Sequence, residues 1–337
     1  MPGFAFSEYE TGPPDSGSIS PQLQGVHVDR RTFLAVPLAV AAAALAACTP
    51  EPPAPAPHGT SAPAVPPTPK ASPTPKAAPS TPQVTPPTPE VGLKGVGMTG
   101  IKEFGAKQLD ALNVGWYYTW GADFPALKLA ATPAPEFVPM VWGKSTLRNK
   151  AIAEIRSELE VSRARHLLGF NEPDHKGQAD MSVSTAIKLW PQLERAGLRL
   201  GSPAPVQALG DWLKQFMDAA AAKDLRVDFV TMHHYAPPRA DSFLRTVQKL
   251  HERYGKPVWI TEFAVADWKA TATSPTRFTE KQILAFMSET VAGLREMPYV
   301  ERFAWKTRAH DDPIMGASAL LRADGSLSPT GELYRSL

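Results

Sequence analysis

Eight short apolar runs with strand-like composition recur after residue 90, and several are separated by stretches with helical periodicity. The runs are 95–98, 114–120, 137–142, 166–171, 199–204, 227–235, 257–264 and 302–307. The amphipathic stretches include 145–159, 182–196 and 279–296. Strands separated by helices pair in parallel through crossover connections. Eight such units predict an α/β fold, a (β/α)8 TIM barrel, for which about 250 residues is a typical length.

A doubly wound open sheet is the alternative architecture for a chain that alternates strands and helices. The barrel makes the sharper prediction about chemistry, because it gathers the carboxyl ends of all its strands at one rim. In this sequence most of the predicted strands end in polar or aromatic residues. A purely structural barrel would not need that enrichment.

The charge balance and the cysteine content exclude several classes of protein. The 337 residues contain 35 Lys and Arg against 33 Asp and Glu, for a net charge of +2. A nucleic-acid partner requires a basic excess, so we expect none. The single cysteine cannot form an intramolecular disulfide, and 43% apolar residues suffice for a sizeable core. We expect a monomer without a metal or other cofactor.

Residues 1–48 have the features of an export signal. Arg30 and Arg31 form a twin-arginine pair ahead of an apolar stretch over 34–47, which is too short to span a bilayer comfortably. The stretch ends in the sequence LAAC, similar to a bacterial lipobox, with Cys48 at the position that becomes lipid-modified. We therefore expect lipidation at Cys48 and an extracytoplasmic, lipid-anchored protein on a bacterial membrane.

Residues 49–90 consist mainly of Pro, Ala, Thr, Ser and Lys. Such a segment cannot offset its ordering entropy by burial, so we expect a disordered or polyproline-like linker. Its expected role is a semi-rigid spacer between the membrane and a folded domain. Residues 91–337 then form the predicted barrel domain.

Two of the predicted strands have a glutamate at or next to their carboxyl ends. Glu172 follows the sequence LLGFN, and Glu262 follows VWIT. A carboxylate at the tip of a buried strand is costly unless it has a role. These strands are the fourth and the seventh, whose tips can approach each other across the rim of a barrel. Two carboxylates at one rim are the minimal equipment for cutting a glycosidic bond.

The separation of such a pair decides the stereochemistry of the reaction. About 5–5.5 Å between the carboxyl groups gives retention, and about 6.5–9.5 Å gives inversion. One group must be protonated near neutral pH while the other is ionised. Their mutual repulsion and unequal surroundings would separate the two pKa values.

Three polar neighbours are further site candidates. Asn171 directly precedes Glu172, so both can face the site only if the strand turns or bulges there, which the following proline favours. We expect Asn171 to bind the sugar 2-hydroxyl and His233 to bind another sugar hydroxyl. Tyr235 shares a face with His233 and is expected to donate to a carboxylate. His234 points to the opposite face, so the two histidines are not expected to chelate a metal.

Tryptophans are candidate sugar platforms, because a flat aromatic ring matches the apolar face of a pyranose. The candidates are Trp116, Trp120, Trp142, Trp268 and Trp305, of which Trp120, Trp142 and Trp305 fall at predicted strand ends. Trp259 is out of phase with Glu262 under strict alternation. It is therefore expected to face the helices.

Several of these segments, in this order, resemble glycoside hydrolase family 128, a group built on a glycosyl hydrolase catalytic core. The segments are LLGFNEPD at 167–174, LGSPA at 200–204, VDF at 227–229, His233 and Tyr235, and YGKPVWITEFA at 254–264. The resemblance covers 91–337. Related proteins often have His-Trp-Tyr on the sixth strand, whereas this chain has His-His-Tyr. The departure removes an aromatic residue from one local subsite.

The resemblance implies a retaining β-1,3-glucanase, with the acid/base on Glu172 and the nucleophile on Glu262. The expected partner is a β-glucan oligo- or polysaccharide. Two alternatives stay open at this point. One is a catalytically silent β-glucan-binding surface lipoprotein, and the other is a hydrolase of another β-linked polysaccharide.

Overall fold

The computed structural model describes residues 92–98, 103–130, 134–148 and 150–337. The predicted signal (1–48), the lipidation site Cys48 and the predicted linker (49–90) lie outside the described residues. Among the described residues, no helix has the length and apolar character needed to cross a membrane.

Parallel strands alternate with helices along the described chain. The strands are β1 (Lys94–Gly97), β2 (Trp116–Tyr118), β3 (Glu136–Phe137), β4 (His166–Leu167), β5 (Arg199–Leu200), β6 (Val230–Ala236), β7 (Val258–Val265) and β8 (Val300–Lys306). The helices are α1 (Glu103–Leu112), α2 (Lys144–Arg148), α3 (Ala151–Ser162), α4 (Val183–Glu194), α5 (Asp211–Ala222), α6 (Ala240–Tyr254), α7 (Glu280–Arg295) and α8 (Pro329–Ser336), with a 3-10 turn at Gly316–Ser318. Each strand overlaps one of the eight predicted runs.

The strands close into a ring. Six of them pair in the order β3-β2-β1-β8-β7-β6, and β4 pairs with β5. Parallel bridges between Met140 and Leu168 and between Gly201 and Phe229 join the two groups. Because β1 also pairs with β8, no open edge separates the first strand from the last. The barrel prediction is confirmed, and the open sheet is excluded.

The helix starts follow their local sequences. Ser182 caps α4 by accepting from the N–H of Thr185, and Thr279 with Gln282 forms a capping box at α7. The predicted helix over 145–159 is instead divided into α2 and α3, with Lys150 in a left-handed conformation before α3. Helix-period patterns therefore locate these segments to within a few residues.

Two apolar layers hold the barrel together. The larger lies between the strands and the helices, and the smaller fills the barrel interior with side chains that include Trp116, Tyr118, Phe229 and Trp259. Gly95 makes room for this interior, because a Cβ there would lie 2.2 Å from the Trp116 ring. The interior is thus packed with aromatic rings below the rim.

The prediction that Trp259 faces the helices is wrong, because β7 contains an extra residue. Met232 pairs with Ile260 but His233 pairs with Glu262, and the partners on β8 skip a position of β7 in the same place. The bulge lies at Thr261 and resets the alternation. Trp259 and Glu262 therefore both point into the barrel although three positions separate them.

The amino end of the barrel contains a buried charge cluster. Glu136 accepts from Arg302 at 2.6 Å and contacts His166 Nδ1 at 2.8 Å and Arg165 at 3.1 Å. Burial alone would raise the pKa of Glu136, but His166 and Arg302 outweigh it and hold this pKa well below its ordinary value. The cluster lies far along the strands from their carboxyl ends, so its role is structural.

Two arginines on the same carboxylate form a matched pair for a stability test. The Arg302 side chain is 8% exposed and the Arg165 side chain is 73% exposed. We expect Arg302→Met to lower the free energy of unfolding by about 3–5 kcal/mol, because it leaves a buried carboxylate short of its partner. Arg165→Met should cost less than about 1 kcal/mol. Urea denaturation of both variants measures the difference, and equal losses would contradict a buried pair.

Candidate active site

Glu172 lies five residues after β4, directly after the parallel bridge between Asn171 and Ala204, and its backbone turns there. Its φ of 41° is left-handed, and its N–H donates to the carbonyl of Ala204 at 2.8 Å. A non-glycine residue in this conformation costs about 1–3 kcal/mol and is typical of functional sites. The predicted turn after Asn171 is thus present, and it lets both side chains enter the mouth of the barrel.

Glu262 enters the same mouth from β7, aimed inward by the bulge at Thr261, and is 4% exposed. Trp120 Nε1 donates to its Oε1 at 2.8 Å, and the Tyr235 hydroxyl donates to its Oε2. Lys306 Nζ lies 3.7 Å from Oε2. This carboxylate is therefore surrounded by donors and a cation.

His233 joins the two glutamates. Its Nδ1 lies 2.9 Å from Glu172 Oε1, and its Nε2 lies 3.4 Å from Glu262 Oε1. One imidazole ring, with one polar contact at each end, therefore spans the gap between the two carboxylates. Glu172 and Glu262 thus lie near each other at one rim of the barrel, as predicted.

The electrostatics favour an ionised Glu262. Burial would raise its pKa, but the charges of His233 and Lys306 and the hydrogen bonds from Tyr235 and Trp120 hold the pKa at about 2. Burial also opposes a charge on His233, yet the Glu262 charge and the Glu172 contact raise the pKa of this imidazole above its ordinary value. Glu172 is the more accessible acid, with 14% of its side chain exposed against 5% for Glu262.

The structure gives His233 a different position from the predicted one. It was expected to bind a sugar hydroxyl, but it is 4% exposed and both ring nitrogens face carboxylates. Tyr235 contacts Glu262 in the predicted manner. His234 packs against Phe243 of α6 on the outer side of the strand, away from His233. Among the described residues, no group of three His, Cys, Asp or Glu side chains could hold a metal ion.

Asn171 is buried beside Glu172. Its Nδ2 donates to Gln178 Oε1 at 3.1 Å. Its Oδ1 has no hydrogen-bond partner among the described residues. A buried acceptor of this kind is costly unless something binds it, which leaves Oδ1 available to a donor from a ligand.

The tryptophan candidates differ in whether their rings can reach a sugar. Trp120 is half-buried and held by Glu262, while Trp142 lines a cavity of about 320 Å³ together with Lys144, Asp180 and Thr185. Trp268 is 61% exposed, and its Nε1 donates to the carbonyl of Tyr235. These three can offer a ring to a sugar, whereas Trp116 is buried in the barrel interior.

The prediction of Trp305 as a sugar platform is wrong. Its exposure is 0%, and its Nε1 donates to the carbonyl of Ser318 at 2.8 Å. The ring packs against Phe263 and Tyr334 on the helix side of β8. Adjacent strand residues alternate, so the neighbour of Trp305 faces the mouth instead.

That neighbour, Lys306, is a site residue that was not among the candidates predicted from the sequence. It is 8% exposed and its Nζ lies 3.4 Å from the centroid of the Trp120 ring. The sequence does contain a signal for this residue, because a lysine lies next to the end of the predicted run 302–307. The prediction that Trp305 faces the mouth implied that Lys306 faces the helices, and the structure has the opposite arrangement.

Comparison with known proteins gives a consistent result. The family model described as "Glycosyl hydrolase catalytic core" matches residues 95–334. A solved GH128 (subgroup I) endo-β-1,3-glucanase from Amycolatopsis mediterranei, in complex with laminaritriose, is 32% identical with a TM-score of 0.63. That match covers 73% of this chain and 99% of the other.

Two further relatives are more distant. A GH128 (subgroup II) endo-β-1,3-glucanase from Sorangium cellulosum is 29% identical with a TM-score of 0.58, covering 72% of this chain and 98% of the other. Alkali-sensitive linkage protein 1 of Schizosaccharomyces pombe is 27% identical over an alignment of 236 residues that covers 66% of this chain. The match spans only 40% of the length of that yeast protein. The family match over most of the chain and the likeness to the Amycolatopsis enzyme show that the chain belongs to the glycosyl hydrolase catalytic core family and, within it, to glycoside hydrolase family 128.

Proposed function

We propose that this protein is a retaining glycoside hydrolase that cleaves β-1,3-glucan through a covalent glycosyl-enzyme intermediate. The observation that carries the hydrolase proposal is the pair Glu172 and Glu262, which contact opposite nitrogens of one imidazole at the barrel mouth. Retention is what the resemblance to glycoside hydrolase family 128 implies. The substrate class is supported by the two GH128 relatives, both named endo-β-1,3-glucanases.

Unequal surroundings assign the two roles. Glu262 is buried and ionised, so one of its oxygens can attack the anomeric carbon. Glu172 is more exposed and can reach the glycosidic oxygen of a sugar lying over the mouth. A nucleophile must stay charged, and the buried Glu262 with its donors and cations meets this requirement.

The reaction proceeds in two displacements. In the first, Glu262 forms an ester bond to the anomeric carbon while the bond to the leaving oxygen breaks and Glu172 supplies its proton. In the second, the ionised Glu172 takes a proton from water, whose oxygen attacks the same carbon and releases Glu262 as a carboxylate. Two inversions at one carbon give net retention.

The surrounding residues position the sugar. The unpartnered Asn171 Oδ1 accepts a hydrogen bond from the sugar 2-hydroxyl, an interaction that strengthens in the transition state. Trp142 and the exposed Trp268 stack on neighbouring sugar units. Trp120 is fixed against the nucleophile, so a sugar that contacts this half-buried indole is the sugar under attack.

The deciding experiment is a product profile. We expect the wild-type protein to release reducing ends from laminarin-type β-1,3-glucan, faster than from other defined β-linked oligosaccharides. A higher initial rate on a differently linked glucan would show that the protein is a glycoside hydrolase with another substrate. Activity that survives in the double variant Glu172→Gln, Glu262→Gln would end the proposal. Binding of oligosaccharide without any product would favour a silent binding protein.

We also propose that the protein is exported by a twin-arginine signal and anchored through a lipid on Cys48, outside the cytoplasm. The support is the sequence pattern of residues 30–48 alone. We expect wild-type protein in the membrane fraction of a bacterial host and Cys48→Ala protein in the soluble exported fraction. An equal distribution of the two would contradict the anchor.

We also propose that the protein is a monomer. Light scattering of the chain without residues 1–48 tests this expectation.

A further inference from the structure

Lys306 occupies the centre of the site although no step of the proposed reaction uses it. It is the last residue of β8 and lies at the inward phase, 8% exposed. Taking an ammonium group out of water is expensive, so a buried lysine persists only where a partner and a role compensate. Its surroundings identify that role.

Lys306 contacts the nucleophile both directly and through Trp120. Its Nζ lies 3.7 Å from Glu262 Oε2 and 3.4 Å from the centre of the Trp120 ring. The same indole donates through Nε1 to the other oxygen, Oε1, at 2.8 Å. The three groups therefore form a closed triangle in which the cation touches both the carboxylate and the ring that donates to it.

Trp120 has an unfavourable backbone conformation, since its φ of 59° is left-handed. A cation over the face of an indole is attracted by the ring. The ammonium group can therefore help to hold the ring in the orientation that places Nε1 on Glu262.

We propose that Lys306 is a positioning residue of the displacement reaction, whose charge keeps Glu262 ionised at acidic pH and whose contact with Trp120 fixes the second donor to that carboxylate. This inference rests on the proposed function. It adds a residue for which neither the family match nor the relatives assign a role.

Titratable groups face Glu262 from both strands that pair with β7 and from the segment after β4. His233 and Tyr235 lie on β6, Lys306 lies on β8, and Glu172 lies in the segment that follows β4. Beyond these, the Tyr118 ring packs against Trp120, and the charge of Arg308 lowers the pKa of Lys306. Burial lowers the pKa of Lys306 and the Glu262 charge opposes that change. Of these neighbours, His233 and Lys306 are the cations that lower the pKa of Glu262.

The test compares Lys306→Met with Lys306→Arg. Methionine keeps most of the side-chain volume and removes the charge, so the pKa of Glu262 should rise. We expect the acidic limb of the kcat profile on laminarin to move to higher pH and kcat at the optimum to fall about 100-fold, with KM nearly unchanged. Arginine keeps the charge, so Lys306→Arg should return the acidic limb of the kcat profile to its wild-type pH. Lys249→Met, on the exposed face of α6, is the matched control and should behave as wild type.

A second measurement does not depend on turnover. The Glu262 side-chain carboxyl can be titrated by ¹³C NMR in protein with labelled glutamate, its signal assigned by its loss in Glu262→Gln. We expect it to titrate at higher pH in Lys306→Met than in wild type. An unchanged titration, or a loss of kcat that follows only a lower Tm, would overturn the inference. A wild type that does not cleave glucan would end the proposed function while this titration still decides the role of Lys306.

Discussion

Glu262→Gln is expected to lower kcat on β-1,3-glucan by roughly 10⁴- to 10⁶-fold, the range found when an enzyme loses its nucleophile. Glutamine keeps the size of the side chain, and its amide oxygen can still accept from Tyr235. It cannot attack the anomeric carbon, and its amide nitrogen would face the Trp120 donor. Initial rates of reducing-end release measure the loss.

The control for this substitution is the same change on the surface. Glu289 is exposed on α7, and Glu289→Gln should retain wild-type kcat. A mechanism-based 2-fluoro glycoside should add its sugar to the wild-type protein and not to Glu262→Gln, as seen by the intact mass. A Glu262→Gln variant that keeps more than a hundredth of the wild-type kcat would show that another group attacks the sugar.

Glu172→Gln is expected to produce a loss that depends on the leaving group. On glucan, kcat/KM should fall about 10²- to 10⁴-fold, because the departing oxygen receives no proton. On an aryl β-glucoside whose phenol leaves as an anion, the first displacement should be nearly unaffected. The second still lacks its base, so the glycosyl-enzyme should accumulate and give a burst of phenol.

Azide sharpens this prediction, because it attacks without needing a base. Added azide should raise the steady-state rate of Glu172→Gln and yield the β-glycosyl azide. That product carries the retained configuration and tests the stereochemistry directly. The wild type, which already has its base, should gain nothing. An α-configured azide, or equal losses on the glucan and the aryl substrate, would contradict the role assigned to Glu172.

The strand pattern predicted the barrel well, because apolar runs and strand ends are local features of a sequence. Glu172 illustrates this, since the proline after it indicated the turn that the backbone makes there. Tyr235 was also placed correctly, because it and His233 are separated by two positions on one regular strand. Where alternation holds, one residue fixes the direction of its neighbours.

The errors arise where alternation is interrupted or wrongly started. Trp259 was assigned to the outer face because the extra residue at Thr261 depends on pairing with β6 and β8, which the sequence of β7 alone does not reveal. Trp305 was assigned to the mouth by its residue type, although Lys306 holds that phase. His233 was predicted to bind a sugar hydroxyl. In the folded chain it instead contacts two carboxylates from distant segments, which its own sequence neighbourhood does not reveal.

The bulge at Thr261 has a consequence for proteins related to this one. The carboxylate of Glu262 points inward because β7 has one residue more at Thr261 than the pairing with β6 and β8 requires. A relative that lost a single residue here could keep every side chain of the motif and still turn its acid toward the helices. Conserved letters around Glu262 are therefore insufficient evidence of activity in a homologue, and the spacing between Trp259 and the acid has to be preserved as well.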